Sequence, residues 1–388
     1  MKKLLILASV LVALAVLTGP SVAQSPAITT TISLTDPSTG ERISPDVIGV
    51  NPKTNTVYVC GFTSPSNQAV LAVIDGATNT LSTTISLTDP STGERISPDV
   101  LGVNPTTNTV YVGGYTSPSN HAVLAVIRGT TNTLTTTISL TDPCTGEEIS
   151  PDVLGVNPKT NRVYVGGFTW SGEAVLAEIR GATNTLTTTT SLTVPSTGER
   201  LSPDVLGVNP TTNTVYVGGF TWSGQAVLAV IRGTKITTTI SLTDPCTGEG
   251  LSPDVLGVNP KTNRVYVGGF TSPWSQAVLA VIRGTRITTT TSLIDLFTFE
   301  EVSPNVLGVN PKTNTVYVGG LTIPSNQAAL AVIRGTTNTL TTTISLTDPS
   351  TGERIFPDVL GVNPTTNTVY VGGFTSPSNH AILAVIQF

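Results

Sequence analysis

The triplet Val-Tyr-Val recurs around Tyr58, Tyr111, Tyr164, Tyr216, Tyr266, Tyr317 and Tyr370, at intervals of 53, 53, 52, 50, 51 and 53 residues. A period this regular makes each repeat one structural unit and restricts the chain to architectures that stack such units. Seven of the eight tyrosines lie on this ruler, so tyrosine serves the repeat itself.

Each unit divides into four strand-like runs, here lettered a to d. DVLGV precedes the turn NPKTN, TVYVGG follows it, AVLAVI comes after a looser stretch such as FTSPSNQ, and TLTTTISLT comes after RGTTN. β-Branched residues dominate these runs, and no helical period is sustained beyond the first residues. In the a–b turn proline presets φ near −65° while the first Asn can bond local backbone. The second Asn tolerates a left-handed conformation at the turn exit. Four antiparallel strands per unit, repeated radially, describe the blade of a β-propeller.

One extra d-type run, ITTTISLT at 28–35, precedes the first a-run, and the last run, AILAVI at 381–386, is of type c. The N-terminal run therefore completes the C-terminal blade, giving an all-β, seven-bladed propeller closed into a ring. A glycine in every a-run (Gly49, Gly102, Gly155, Gly207, Gly257, Gly308, Gly361) suits an innermost strand, where backbones crowd the axis. The unit VNPxTNxVYV followed by AVIxGxTNTL resembles the YVTN-type β-propeller repeat of prokaryotic surface and secreted proteins, over essentially the whole chain after the first residues. The resemblance implies the fold and an extracytoplasmic setting, and it says little about a ligand. The linker TDPSTGERISPD departs from that pattern, being longer than the family's short Gly-Pro connection.

Residues 1–23 carry Lys2 and Lys3, an apolar run from Leu4 to Leu17 and the small-residue site Ser21-Val22-Ala23. This is the layout of a secretory signal peptide cleaved after Ala23, since the run is short of the roughly 20 residues a spanning helix needs. Residues 24–388 then form one domain. Loss of Lys2 and Lys3 takes the formal charge from −5 to −7, which gives nucleic-acid binding no electrostatic support. Cys60, Cys144 and Cys246 stand where other repeats have Gly or Ser. A two-blade separation of equivalent points, roughly 8.6 Å at minimum, exceeds the ~7 Å reach of a disulfide and rules against a Cys144–Cys246 bridge, so free thiols are expected.

Little in the chain suggests catalysis. His121 and His380 are the only histidines, in blades two and seven, at a position other blades fill with Gln68, Gln225, Gln276 and Gln327. There is no haem-attachment CxxCH, no phosphate-binding glycine loop and no cluster of histidine ligands. No catalytic residue and no bound organic cofactor is assigned.

Strand alternation places d–a and b–c connections on one face of the disk and a–b and c–d turns on the other. The first face collects 22 of the 24 carboxylates, among them Asp36, Glu41 and Asp46, against only Arg42, Arg95, Arg200 and Arg354. The second holds Asp75 and Glu178 with 13 cations, including Lys53, Arg128, Lys159, Arg162, Arg180, Lys261, Arg264 and Arg334. Copying one unit multiplies any charge bias, so this polarity has a duplication origin as well as a functional one to offer.

Two sets of residues on the acidic face are candidate sites. Asp46, Asp99, Asp152, Asp204, Asp254 and Asp358, with Asn305 in the remaining blade, open the a-strands at the channel mouth. They could draw Ca²⁺ or another hard cation to the axis, or bond backbone amides of their own loops. Trp170, Trp222 and Trp274 occupy b–c loops of blades three, four and five, with Ile323 in blade six, and could form a patch for a protein or glycan.

These features predict a secreted, cell-surface or periplasmic binding scaffold for a macromolecule, its basic face suited to an anionic envelope. A cation-dependent enzyme using the channel carboxylates, and a structural surface-layer component, are the alternatives.

Overall fold

The computed structural model describes residues 26–273, 275–295 and 298–388; residues 1–23, read as a leader, and Trp274 lie outside them. Strand β1 (Ile28–Ser33) is followed by β2 (Arg42–Asn51), β3 (Thr56–Ser64), β4 (Ala69–Asp75) and β5 (Thr80–Ser86). The last four pair in sequence order as one antiparallel blade, and the same arrangement recurs to give seven sheets in a ring.

The ring closes as the extra N-terminal run predicts. β1 is the outermost strand of the blade whose other members are C-terminal, pairing Ile32 with Leu383 and Ser33 with Ile382. The innermost strand Val359–Asn363 in turn packs beside β2, so the last blade meets the first.

Each sheet is buried on both faces, which explains its nearly continuous apolar runs. From β3, Tyr58 and Cys60 point into a layer shared with Ile96, Val110 and Val112 of the next blade. Val57 and Val59 point the other way, against Tyr370 and Leu383 of the preceding one. The outermost strands, such as TLSTTIS in β5, are largely threonine with alternating exposure. Threonine keeps β-branching for the sheet and offers a hydroxyl to water.

The inner-strand glycines have a direct steric reason. A Cβ on Gly49 would lie 2.2 Å from the Leu101 side chain and 2.7 Å from Val103, both on the inner strand of the next blade. The missing side chain is the space into which the neighbour packs.

The a–b turn does more than its local chemistry requires. The second Asn is left-handed as expected, with Asn55 at φ 53° and Asn108 at φ 52°. The first Asn accepts a backbone N–H two residues on, as in Lys53 N to Asn51 Oδ1 at 3.0 Å. Its other end leaves the blade: Asn51 Nδ2 donates to Asn108 Oδ1 at 2.7 Å. The same bond joins Asn104 to Asn161, Asn157 to Asn213, Asn209 to Asn263, Asn259 to Asn314, Asn310 to Asn367 and Asn363 to Asn55. Seven buried amides thus hydrogen-bond each blade to the next around the whole ring, whereas the sequence reading assigned both asparagines only local roles.

Candidate functional site

Asp46 and Asp99 owe their direction to an irregularity in the inner strand. The β2–β3 register slips between Pro45 and Val47, leaving Asp46 as the extra residue of a bulge, and the slip between Pro98 and Val100 does the same for Asp99. A bulge re-aims the side chain it carries. Asp46, Asp152, Asp204, Asp254 and Asp358 line an axial cavity of about 340 Å³ whose wall continues as the valines and leucines of the inner strands.

Packing within this mouth pushes the carboxyls of Asp46, Asp152, Asp204, Asp254 and Asp358 above the usual carboxylate range, burial being the first cause. Asp99 rises to about 6, through burial and then through repulsion from Asp152 and Asp46 on either side. Several of them accept a hydroxyl from two residues earlier, Ser150 Oγ to Asp152 at 2.9 Å and Ser252 Oγ to Asp254 at 3.0 Å. Among the described residues no three His, Cys, Asp or Glu side chains converge closely enough to hold a metal ion. The ring is therefore a concentrated negative field around an opening, with its oxygens spread apart.

Elsewhere on this face many carboxylates are occupied with structure. Asp36 is buried in the TDPSTG loop, where its Oδ1 accepts Ser38 N and Ser38 Oγ at 2.8 and 2.7 Å. Burial alone would raise its carboxyl, but these bonds and one from Thr84 together hold it below the ordinary range. Asp89, Asp142, Asp244 and Asp348 are buried in the equivalent loops. Glu41 accepts the Ser66 hydroxyl and so ties the d–a loop to the b–c loop; Ser171 to Glu147 at 2.7 Å is the same tie in blade three.

Arginines fasten neighbouring blades at the rim. Arg42 Nη1 donates to Asn379 O at 2.5 Å and Arg95 Nη1 to Asn67 O at 2.5 Å, each guanidinium lying over the aromatic ring of the preceding blade, Phe374 or Phe62. Arg200 donates to Gly172 O and Glu173, and Arg354 to Asn326 O. Glu148 holds this position in blade three and meets His121 Nδ1 at 2.5 Å. His380 contacts Ser378 at 3.0 Å, so the two histidines serve separate loops. On the opposite face Arg162 is paired with Glu178, which is buried within its strand.

The exposed large hydrophobic side chains share a location. Among the described residues they are Trp170, Phe220, Trp222, Ile294, Phe299 and Ile323, all in or beside the b–c and d–a connections of blades three to six. Trp170 and Trp222 are 72% and 82% exposed. Two of the three predicted tryptophans are thus on the acidic face of adjacent blades, while Trp274 is not described. Sequence reading missed Phe299, 80% exposed at φ 60°, where the other repeats place a glycine such as Gly40. A bulky residue in the left-handed region is costly and draws attention to its loop. Its signal was the substitution of DLFTFE for the usual DPSTGE. Cys60 is buried, Cys144 and Cys246 are exposed, and all three are free thiols.

No protein-family model and no curated protein sequence matches the chain. Solved structures do. A chain of Kuenenia stuttgartiensis hydrazine synthase aligns with TM-score 0.64 at 14% identity, covering 89% of this chain and 96% of that one. A chain of the mitotic checkpoint complex aligns at 0.59 and 12% identity, over 100% and 99% of the two chains. U3-55K aligns at 0.60 and 10% identity, over 94% and 100%. At these identities the likeness concerns the fold, and it agrees with the seven-bladed ring.

Proposed function

We propose that this chain is a secreted or surface-associated interaction scaffold of the YVTN-type propeller kind, which binds a protein partner through its d–a/b–c face. The observation that carries this reading is the arc of exposed Trp170, Phe220, Trp222, Phe299 and Ile323 on blades three to six, set within an acidic surface. Exposed apolar groups gathered on one sector of a charged face are a common mark of an interaction site. Propellers are a frequent scaffold for such contacts, and one of the similar structures belongs to the mitotic checkpoint complex. The leader-like residues 1–23 support export, and the basic opposite face suits an anionic envelope.

The test is a binding comparison on isolated envelope proteins using purified protein starting at Gln24. The pair Trp170→Ala and Trp222→Ala together should lower partner retention by about tenfold or more, the scale of losing one or two aromatic anchors. Lys159→Glu with Lys261→Glu, on the opposite face, should leave retention of that protein partner unchanged. Equal retention by both variants would sink the assignment of the face, and retention of glycans alone would move the partner to carbohydrate. Cell fractionation with N-terminal sequencing checks export and cleavage after Ala23.

A further inference from the structure

The seven blade junctions act as internal references for one another. On the acidic rim, Arg42, Arg95, Arg200 and Arg354 each bridge to the threonine two residues beyond the previous outer strand, and Gly250 bridges to Thr243 in the same manner. Gly250 thus holds the structural position of these arginines. At the arginine junctions the guanidinium donates to a carbonyl of the preceding b–c loop: Asn379, Asn67, Gly172 or Asn326. In two of them it also lies over the preceding blade's aromatic ring, 5.6 Å from Phe374 and 5.8 Å from Phe62.

Between blades four and five these partners are present without the side chain that uses them. A cavity of about 540 Å³ is lined there by Phe220, Gly224, Gln225, Gly250, Phe270 and Ser272. Phe220 is the counterpart of Phe62 and Phe374, and it is 37% exposed. Gly224 is the counterpart of Gly172, whose carbonyl receives Arg200 at 2.9 Å. Beyond Gly250 itself and its chain neighbours, no atom lies within 4 Å of the place where a Cβ on Gly250 would stand.

We propose that this cavity is a receptor for an arginine side chain supplied by the protein partner. The incoming guanidinium takes the place of the missing internal one, over Phe220 and within reach of the Gly224 carbonyl. An acidic face favours approach of a basic segment, an aromatic ring offers its negative face to a cation, and a planar guanidinium matches a carbonyl that an ammonium meets less well. The junctions that open blades three and six depart from arginine too, but Glu148 fills the first and is bound by His121, and Glu301 fills the second and accepts Ala277 N at 3.2 Å. The proposal therefore attaches to Gly250. It rests on the reading of this face as the partner-binding face.

The experiment uses methyl-labelled protein and the peptide acetyl-Gly-Arg-Gly-amide, with Lys and Gln versions as comparators. Ala226, which also lines the cavity, reports binding by its methyl shift. The Arg peptide should shift it saturably, and the Gln peptide should bind roughly tenfold or more weakly. Gly250→Arg should abolish the shift, because the chain's own side chain then fills the cavity as it does at four other junctions. Gly250→Ala should retain it, which guards against a general effect of substitution. Equal binding of Arg and Gln peptides, or a shift that persists unchanged in Gly250→Arg, overturns the proposal. If Gly250→Arg leaves partner retention intact while the paired Trp variant loses it, the arginine receptor fails and the binding face stands; if neither affects retention, the face itself fails.

Discussion

Asp99 shows how a single residue carries the cost of the ring it belongs to. Its carboxyl rises to about 6 from an ordinary value of 3.8 through burial and the flanking Asp152 and Asp46. The folded state therefore holds this proton to higher pH than the unfolded chain does. Ionisation penalises the fold progressively from about pH 4 to pH 6, and fully above that. Asp99→Asn should stabilise the protein at pH 7.5 by about 1 kcal/mol, a value reduced from the full shift because the group is exposed to screening solvent. The gain should vanish near pH 4 and shrink with salt. Chemical denaturation at the two pH values decides it, since a gain unchanged at pH 4 would point to hydrogen bonding instead of charge. Asn305 already occupies this position in one blade. The aspartate positions were legible because the Pro-Asp pair recurs; the spacing of their carboxylates around the cavity was not, because side-chain direction depends on the local backbone. The buried Asn ring was hidden for a different reason. Asn51 and Asn55 each satisfy a local turn role, so their repetition looked fully explained. Their constancy was the overlooked signal: a turn alone accepts Asp or Gly, but reciprocal donation and acceptance across blades needs an amide.

At the scale of the element, the glycine three residues after each repeat tyrosine and the inner-strand segment opposite it are one device. A Cβ on Gly219 would stand 1.6 Å from the Ser202 carbonyl oxygen, which is backbone and has no rotamer to move. Gly61 meets Ser44 O in the same way at 1.5 Å. This glycine thus admits the arm of the inner strand that carries Pro-Asp. Gly219→Ala should cost about 3 kcal/mol, toward the upper end for overpacking. Gly250→Ala, with open space at the same test position, should be near neutral. Urea midpoints of the two variants provide the comparison, and similar midpoints would mean that the inner-strand segment yields freely. Strand order and the YVGG strand could be read from the sequence, whereas the extension of β2 back to Arg42 could not. Proline inside the run reads as a strand end, yet Pro45 lies at the bulge, with Ile43 and Ser44 still paired beyond it. The candidate site was legible in the same uneven way. Exposed indoles at 170 and 222 follow from loop position, while the cavity at Gly250 emerges only when seven junctions are superposed in space.

For the whole molecule the decisive property is closure. In an open stack of repeats the terminal units have one neighbour, and unfolding can proceed inward from an end. Here β1 seals the last blade, burying Ile32 and Leu34 and hydrogen-bonding along Ala381–Gln387. Burial of those two side chains alone amounts to roughly 3–6 kcal/mol, and every blade gains two neighbours. A chain beginning at Asp36 should lose that contribution and acquire a free edge at the last blade. Calorimetry of the protein beginning at Gln24 should show one transition whose calorimetric and van't Hoff enthalpies agree. The shortened chain should melt lower, with a calorimetric enthalpy exceeding the van't Hoff value as blades detach in succession. Adding a peptide of residues 26–35 should restore the single transition, because the strand binds by β-augmentation and needs no covalent link to its own blade. Identical melting of the two chains would show that the inter-blade asparagine ring and the apolar layers close the disk without the N-terminal strand.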